Sequence, residues 1–307
     1  KSLAAKNVAG IIVDLRNNPG GSLEEVARML GQVIKSGPVV QIRDGNGNVS
    51  VFEDDDGGAR TYAGPLAVMI NLASASASEI YSAAIQDYQR GIVIGSTTTG
   101  KGTAQVQLDT LAYGQATLTQ RKFYRITGGS TQNKGVIPDI KLVDIYNEEF
   151  GERKAKNALK WDTIPTAPFK REGSVQPYIT KLSQLSQQRV TLDPQFQYLE
   201  QRKQIAKQTE DRKSIVLDIE QRRAELLALE QQTLTAENKR RQETGLKPFA
   251  NWESYQASID ALAEARAKMK AAQRPALPEE EAFVIEAAQV LQDYAMLQKS
   301  VSEPNQP

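Results

Sequence analysis

The sequence predicts a mixed α/β region followed by an all-α region. Up to about residue 145, short apolar runs alternate with turn residues and brief helical patterns, which is typical of α/β folds. Beyond that point Glu, Gln, Lys, Arg, Ala and Leu dominate and Gly is almost absent, which is typical of helices. Pro and Gly residues between positions 165 and 177 mark the join. We therefore predict two domains, residues 1–150 and 151–307, with a disordered tail from about residue 303.

Apolar runs and turn residues predict the elements of the first domain. Residues 8–15 are almost continuously apolar, as in a strand that is buried on both faces. Ser22 and Glu25 have capping-box spacing, and apolar residues continue at helical spacing towards Gly37-Pro38. The other predicted strands cover residues 39–43, 49–53, 65–71, 91–94, 103–108 and 117–126, and a second helix covers residues 78–89.

Long helices are predicted in the second domain. Residues 193–236 form one helical stretch, because no Gly or Pro interrupts them after Pro194. Two further helices are predicted over residues 251–273 and 278–300.

Two missing residue types restrict the chemistry of the chain. It contains no His and no Cys, which excludes a Ser-His-Asp triad, a thiolate nucleophile, a disulfide and a His- or Cys-ligated zinc site. Acid/base chemistry at neutral pH must therefore use Lys, Asp, Glu or Tyr. The net charge of +1 gives no dense cationic face, so we expect no nucleic-acid partner. No apolar run approaches the roughly 20 residues of a transmembrane segment, and we expect any secretory signal to lie upstream of these residues.

Three turns of the first domain carry patterns that suit catalysis. The first, residues 72–79, joins a strand to a helix, and such an elbow can hold a nucleophilic serine at the helix N-terminus. Ser76 and Glu79 also have N-cap spacing, and for this segment alone a structural cap is the favoured interpretation. The second turn contains Gly20 and Gly21, whose N–H groups suit an oxyanion hole and an ordinary turn equally well.

The third turn, residues 95–105, places Lys101 between two glycines after a strand. It fails the phosphate-loop pattern, because Gly102 occupies the position that requires Ser or Thr, and because a strand follows instead of a helix. Burial lowers the pKa of a lysine, and a neutral lysine can take a proton from serine without histidine. A solvated loop lysine is the alternative interpretation.

Four segments follow one another along the chain: IIVDLRNNPGG from residue 11, SASASEI from residue 74, GKGTAQ from residue 100 and GVIPDI from residue 135. In order and spacing they resemble the carboxyl-terminal processing peptidases, and most of all the bacterial periplasmic tail-specific protease branch. That branch also carries a helical C-terminal domain, which is similar in position and character to residues 151–307.

The resemblance implies a fold and a set of site residues. The fold is an α/β protease core, with a β-spiral like that of crotonase and caseinolytic protease, followed by an all-α domain. Ser76 is the implied nucleophile, Lys101 the general base, and Gln105 the residue that orients the lysine. No metal or organic cofactor is implied. The implied oxyanion hole consists of backbone amides of Gly20 or Gly21 and of Ala77.

The resemblance also implies substrates and a cellular location. The expected substrates are proteins with apolar, unstructured C-terminal tails, the expected location is the periplasm, and a lipoprotein adaptor is an expected partner. Family members carry a peptide-binding PDZ domain before the position of Lys1, and this chain begins without Met. We therefore expect a C-terminal fragment that is weakly active or inactive alone. The alternatives are a non-catalytic scaffold or adaptor-binding module built on the helical domain, and a nucleotide-binding protein.

Overall fold

The computed structural model describes residues 6, 8–53, 60–108, 111–145, 151–269 and 277–302. The tail predicted from about residue 303 lies outside the described residues. In chain order the elements are β1 (Ile11–Asp14), α1 (Leu23–Gly31), β2 (Pro38–Asp44), β3 (Val49–Glu53), β4 (Leu66–Ile70), α2 (Ala77–Asp87), β5 (Ile92–Gly95), β6 (Thr103–Leu108), β7 (Ala116–Tyr124), β8 (Ile140–Lys141), a 3-10 turn (Glu152–Lys154), α3 (Gln176–Leu192), α4 (Pro194–Glu210), α5 (Ile219–Glu243), α6 (Trp252–Ala267) and α7 (Pro278–Ser302).

The predicted fold class is confirmed, since a mixed α/β region precedes a region of helices. The chain divides into two compact units, and the division falls within α3 and again within α7. The domain limits at residue 150 stay a prediction. The first unit comprises Lys1–Leu142, Glu148–Ser186 and Ala287–Pro307, and the second comprises Val143–Asn147 and Gln187–Glu286.

Two four-stranded sheets form the α/β region. One is parallel, with strand order β1-β4-β5-β8, and the other is antiparallel, with strand order β3-β2-β7-β6. Every residue of β4 and β5 is buried, which accounts for their continuous apolar sequences. Helices α1 and α2 contribute Leu30, Ile80 and Ile85 to the same apolar core as Leu66 and Val93 of the parallel sheet.

The parallel sheet brings the three predicted turns to one edge. Asp14 of β1 pairs with Met69 of β4, and Ile70 of β4 pairs with Gly95 of β5. Because the carboxyl ends of parallel neighbours lie at the same edge, the loops that follow these strands converge there. Polar side chains from all three loops can therefore reach one another.

One helix prediction is wrong. The single helix predicted over residues 193–236 is two helices, since α4 ends at Glu210 and α5 begins at Ile219. The Asp218 side chain accepts the N–H of Gln221 (2.9 Å) and caps a new helix start. A capping aspartate therefore separates the two helices without any Gly or Pro.

The other predicted helices are present but end at different residues, and one observed helix has no predicted counterpart. The helices predicted over residues 251–273 and 278–300 correspond to α6 and α7, whereas α3 was not predicted. The first helix ends at Gly31, before the predicted stop at Gly37-Pro38. Among the described helices, none is both long and apolar enough to cross a membrane.

Gly95 provides a test of how tightly the central strands pack. It adopts φ +128°, and a Cβ at this position would meet the carbonyl oxygen of Ile70. Gly47, in the turn between β2 and β3, also has a positive φ (+89°), but no atom outside Gly47 and its two chain neighbours lies within 4 Å of its Cβ position. Substitutions at these two positions therefore distinguish the cost of backbone strain from the cost of a steric clash.

We expect Gly95→Ala to destabilise the chain clearly more than Gly47→Ala does. The control variant carries only the strain of positive φ, about 1–2 kcal/mol, and Gly95→Ala adds an overpacking cost of about 1–3 kcal/mol. Urea unfolding of both variants measures the difference. Equal losses of stability would contradict the close packing of β4 and β5.

Candidate active site

Ser76 lies in the turn between β4 and α2 with a strained backbone. Its φ of 55° and ψ of −114° are values that residues other than glycine rarely adopt. The N–H of Glu79 donates to the Ser76 carbonyl oxygen (2.9 Å), and the Ser76 hydroxyl makes no side-chain capping hydrogen bond. The side chain is half-buried. Its hydroxyl is therefore left for chemistry other than helix capping.

Glu79 joins the serine turn to the lysine loop. Its Oε2 accepts the N–H of Ser76 (2.9 Å) and the N–H of Lys101 (2.8 Å). Its Oε1 accepts the N–H of Gly100 (2.7 Å) and the hydroxyl of Thr98. Because one oxygen receives both amides, the backbones of Ser76 and Lys101 lie within two hydrogen-bond lengths of each other.

Four hydrogen-bond donors surround the Glu79 carboxyl group, although it is fully buried (0 % exposed). Burial raises the pKa of the Glu79 carboxyl, and the four hydrogen bonds that it accepts oppose this rise without cancelling it. The hydroxyl of Thr98 accepts the N–H of Val136 (2.7 Å), so its own proton points to Glu79. A protonated carboxyl would have to give up one of these donors. The geometry is therefore that of a carboxylate with a full set of donors.

The lysine loop is also tied directly to the serine turn. The N–H of Thr99 donates to the carbonyl of Ser74 (3.0 Å), and the Thr99 hydroxyl donates to the carbonyl of Leu72 (2.6 Å). These bonds add to those of Glu79, so backbone and side-chain contacts fix the same pair of loops.

The glycine turn is held against the same elbow. The carbonyl of Asn18 accepts the N–H of Ala75 (3.0 Å) and the hydroxyl of Ser78 (3.0 Å). A Cβ on Gly20, which has φ +112°, would lie 2.9 Å from the Cβ of Ser76 and 3.0 Å from the backbone nitrogen of Ala77. Only glycine allows this approach.

The two glycines of this turn differ in their surroundings. The Gly20 N–H donates to the Asn18 side-chain oxygen (2.9 Å). Gly21 is exposed, and no atom outside Gly21 and its two chain neighbours lies within 4 Å of its Cβ position. The structure therefore places Gly20 against the serine and leaves Gly21 open to solvent.

Lys101 and Gln105 are placed differently. Lys101 is half-buried, and its backbone is fixed by Glu79. Gln105 is exposed on β6, and its amide donates to the hydroxyl of Thr119 (3.4 Å) on β7. The structure thus brings together Ser76, Lys101, Gly20 and Ala77, while the hydrogen bond of the Gln105 amide goes to Thr119.

Sequence reasoning missed the part played by Glu79 and by Asn18. The sequence presents Glu79 as a capping residue and as part of the SASASEI segment, and neither indicates a link to the lysine loop, although a carboxylate is rarely buried. Asn18 is part of the glycine turn and of the IIVDLRNNPGG segment, which likewise do not indicate its contact with the serine turn. Within the described residues, no cluster of Asp and Glu is arranged to hold a metal ion.

Two family models match the chain. The model described as Peptidase family S41 matches residues 1–142, and the model described as the C-terminal domain of tail-specific protease matches residues 145–296. The order of the two matches is the order that the sequence motifs predicted.

The chain is also similar to individual known proteins. The chain is 42% identical over 221 residues to the tail-specific protease of Haemophilus influenzae, covering 68% of this chain and 32% of that protein. It is 37% identical over 141 residues to the carboxy-terminal-processing protease of Bartonella bacilliformis, covering 46% of this chain and 32% of that one. The solved photosystem II D1 C-terminal processing protease is 32% identical with a TM-score of 0.42, over 46% of this chain and 36% of that chain. The matched part of the chain thus spans about a third of the length of these curated relatives.

The matches cover nearly the whole chain and reproduce the predicted family. The α/β region corresponds to the peptidase model, and the helices correspond to the C-terminal-domain model. The chain belongs to peptidase family S41, the serine C-terminal processing peptidases, and carries the C-terminal domain of the tail-specific proteases.

Proposed function

We propose that Ser76 and Lys101 form the catalytic pair of a serine endopeptidase, with Ser76 as the nucleophile and Lys101 as the general base. The observation that carries this proposal is the single Glu79 oxygen that accepts both backbone amides. The strained backbone of Ser76 supports it, because strained strand-to-helix turns expose nucleophilic hydroxyls. Without His or Cys in the sequence, a lysine is the side chain best suited to activate a serine.

The proposed reaction has two steps. The neutral amine of Lys101 takes the hydroxyl proton of Ser76 while Oγ attacks the scissile carbonyl carbon, and the carbonyl electron pair moves to the oxygen. The ammonium then gives its proton to the leaving amine as the C–N bond breaks, which leaves an acyl-enzyme. In deacylation Lys101 takes a proton from water as the water oxygen attacks the acyl carbon, and it gives that proton to Oγ of Ser76 as the ester C–O bond breaks and the carboxyl product leaves. No metal or organic cofactor is proposed.

The proposed oxyanion hole combines the N–H groups of Ala77 and Gly21. Ala77 is the first residue of α2, so its N–H has no partner within the helix and lies at the positive end of the helix dipole. Gly21 is preferred to Gly20 as the second donor, because the Gly20 N–H is already bonded to Asn18. Gly20 instead allows the close approach of the turn to Ser76.

Gln105 is proposed as the residue that orients the lysine, as the family pattern implies. Its Nε2 donates to Thr119 in a long (3.4 Å), exposed hydrogen bond, and its Oε1 is the atom that would accept a hydrogen bond from the Lys101 amine. This role is one of orientation and transfers no proton. We therefore expect Gln105 to matter less than Lys101 for catalysis.

The proposed substrates are proteins with apolar, unstructured C-terminal tails. The relatives named as tail-specific and C-terminal processing proteases support this choice. A periplasmic location and a lipoprotein adaptor belong to the same proposal. A chain without cysteine is compatible with an oxidising compartment. Since the matched segment spans about a third of the curated relatives, cleavage is best assayed with the full-length gene product.

A nucleotide site in the lysine loop is disfavoured by the contacts of that loop. A phosphate loop needs free backbone N–H groups. The N–H groups of Gly100 and Lys101 already donate to Glu79.

We expect Ser76→Ala and Lys101→Ala each to lower cleavage of a folded reporter with an apolar C-terminal tail by at least about 10³-fold. The exposed residues Ser50 and Lys141 provide matched controls, and their alanine variants should cleave normally. The same reporter with an acidic tail should be spared. If cleavage survives either catalytic substitution, the pair is wrong and a non-catalytic scaffold built on the helices takes its place.

We expect Glu79→Gln to lower both stability and activity. The introduced amide keeps one acceptor oxygen and places an NH₂ group against N–H donors, so at least one buried donor loses its partner at a cost of about 1–3 kcal/mol. Cleavage should fall at least about tenfold, because nucleophile and base lose their common anchor. Thermal melting and reporter cleavage are compared with Glu253→Gln, an exposed control. Wild-type behaviour of Glu79→Gln would refute the anchoring role.

A further inference from the structure

We propose that Glu152 is a positioning residue for the catalytic lysine loop and that it acts through Gln132. The inference rests on the proposed role of Lys101 as the base. Glu152 opens the 3-10 turn Glu152–Lys154. It lies beyond the residues matched by the S41 model and within those matched by the C-terminal-domain model. The region assigned to the C-terminal domain would therefore take part in ordering the active site.

A chain of two side-chain hydrogen bonds joins Glu152 to the lysine loop. The N–H of Gly102 donates to Oε1 of Gln132 (2.8 Å), and Nε2 of Gln132 donates to Oε2 of Glu152 (3.0 Å). Gln132 is only 1 % exposed, and its own N–H donates to the hydroxyl of Ser130 (3.0 Å). A Cβ on Gly102 would lie 2.5 Å from the backbone nitrogen of Gln132. The two backbones are thus in direct contact, and the glutamine side chain is held inside the protein.

The backbone of the 3-10 turn makes a second set of contacts with the same loop. The N–H of Glu152 donates to the carbonyl of Thr99 (3.0 Å), and the Arg153 guanidinium donates to the carbonyl of Thr98 (3.4 Å). Gly151 is buried, and a Cβ there would lie 3.1 Å from the Thr99 oxygen. These contacts therefore hold Glu152 in place independently of the hydrogen bond between its side chain and Gln132.

These contacts complete a set of three consecutive amides. The N–H groups of Gly100 and Lys101 donate to Glu79, and the N–H of Gly102 donates to Gln132. The amides on both sides of the Lys101 α-carbon thus have side-chain acceptors. Glu79 accepts two of these amides directly, and Glu152 supports the third through the side-chain amide of Gln132.

Glu152 and the Gly102 N–H together fix the orientation of the Gln132 amide. A glutamine side chain presents an oxygen at one end and an NH₂ group at the other. A carboxylate accepts hydrogen bonds only, so it requires the NH₂ group and leaves the oxygen for Gly102. Without Glu152, only the Gly102 N–H holds the amide in this orientation, and the buried NH₂ group loses its acceptor. A shift of the glutamine towards another acceptor would move the lysine loop, and a displacement of about 1 Å between reacting groups costs about 100-fold in rate.

The test exchanges the two side chains. Gln132→Glu places two carboxylates against each other, whereas the double variant Gln132→Glu/Glu152→Gln restores a donor facing an acceptor and keeps an acceptor for Gly102. Glu152→Ala removes the partner, and Lys156→Ala is an exposed neighbouring control. For each full-length protein we would measure kcat and KM on the tailed reporter, the rate at which a small fluorophosphonate labels Ser76, and the melting temperature.

We expect Gln132→Glu to lower kcat and the labelling rate by about 100-fold and Glu152→Ala by about tenfold, with KM changed less than about twofold. The double variant should recover to within about fivefold of wild type. If Gln132→Glu does not fold, the kcat and labelling rate of Glu152→Ala, compared with those of Lys156→Ala, decide whether Glu152 positions the lysine loop.

Three results would overturn the inference. The first is a double variant no better than Gln132→Glu, and the second is a loss confined to KM. The third is a Glu152→Ala protein that labels at the wild-type rate. If the unmodified protein neither cleaves the reporter nor labels at Ser76, the proposed function itself fails, and this inference fails with it.

Discussion

The hydrogen bonds accepted by the buried carboxylate of Glu79 are the interaction on which the candidate site depends. An ionised group without water is costly to bury unless its lone pairs are satisfied. Here Thr98 and the amides of Ser76, Gly100 and Lys101 satisfy them. The same bonds define where the serine turn and the lysine loop lie relative to each other. A single side chain therefore holds the backbones of the proposed nucleophile and base close together, and the contacts of Thr99 add to it.

The Glu79 carboxylate can accept hydrogen bonds from both loops because the parallel sheet places these loops at the same edge. Parallel neighbours β1, β4 and β5 end at one edge, and the loop after each of them enters the site. Close packing then fixes their separation: Gly95 lies against Ile70, and Gly20 lies against Ser76. The strain stored at Ser76 is maintained by these surroundings. Buried strands, two glycines and one carboxylate account for the arrangement.

The parts of the fold that depend on local pattern were predictable, and the parts that depend on tertiary contacts were not. The buried runs at β4 and β5 predict central strands, and the motif spacing points to Ser76, Lys101 and the glycine turn. The break before α5 was missed because an aspartate cap gives a weaker sequence signal than Gly or Pro. The anchoring roles of Glu79 and Gln132 were missed because their partners lie about 20 to 30 residues away along the chain. A periodic sequence pattern does not indicate a hydrogen bond between loops that lie so far apart along the chain.

Amide hydrogen exchange of the unmodified chain and of Glu79→Gln, followed residue by residue by NMR, tests the central claim most directly. The claim is that one carboxylate protects Ser76, Gly100 and Lys101 together. We predict that these three amides lose protection as a group in the variant, while the amides in the middle of β4 and β5 keep theirs. Loss of protection at the serine turn alone, at the lysine loop alone, or at neither would contradict the account, because the two loops would then be positioned independently.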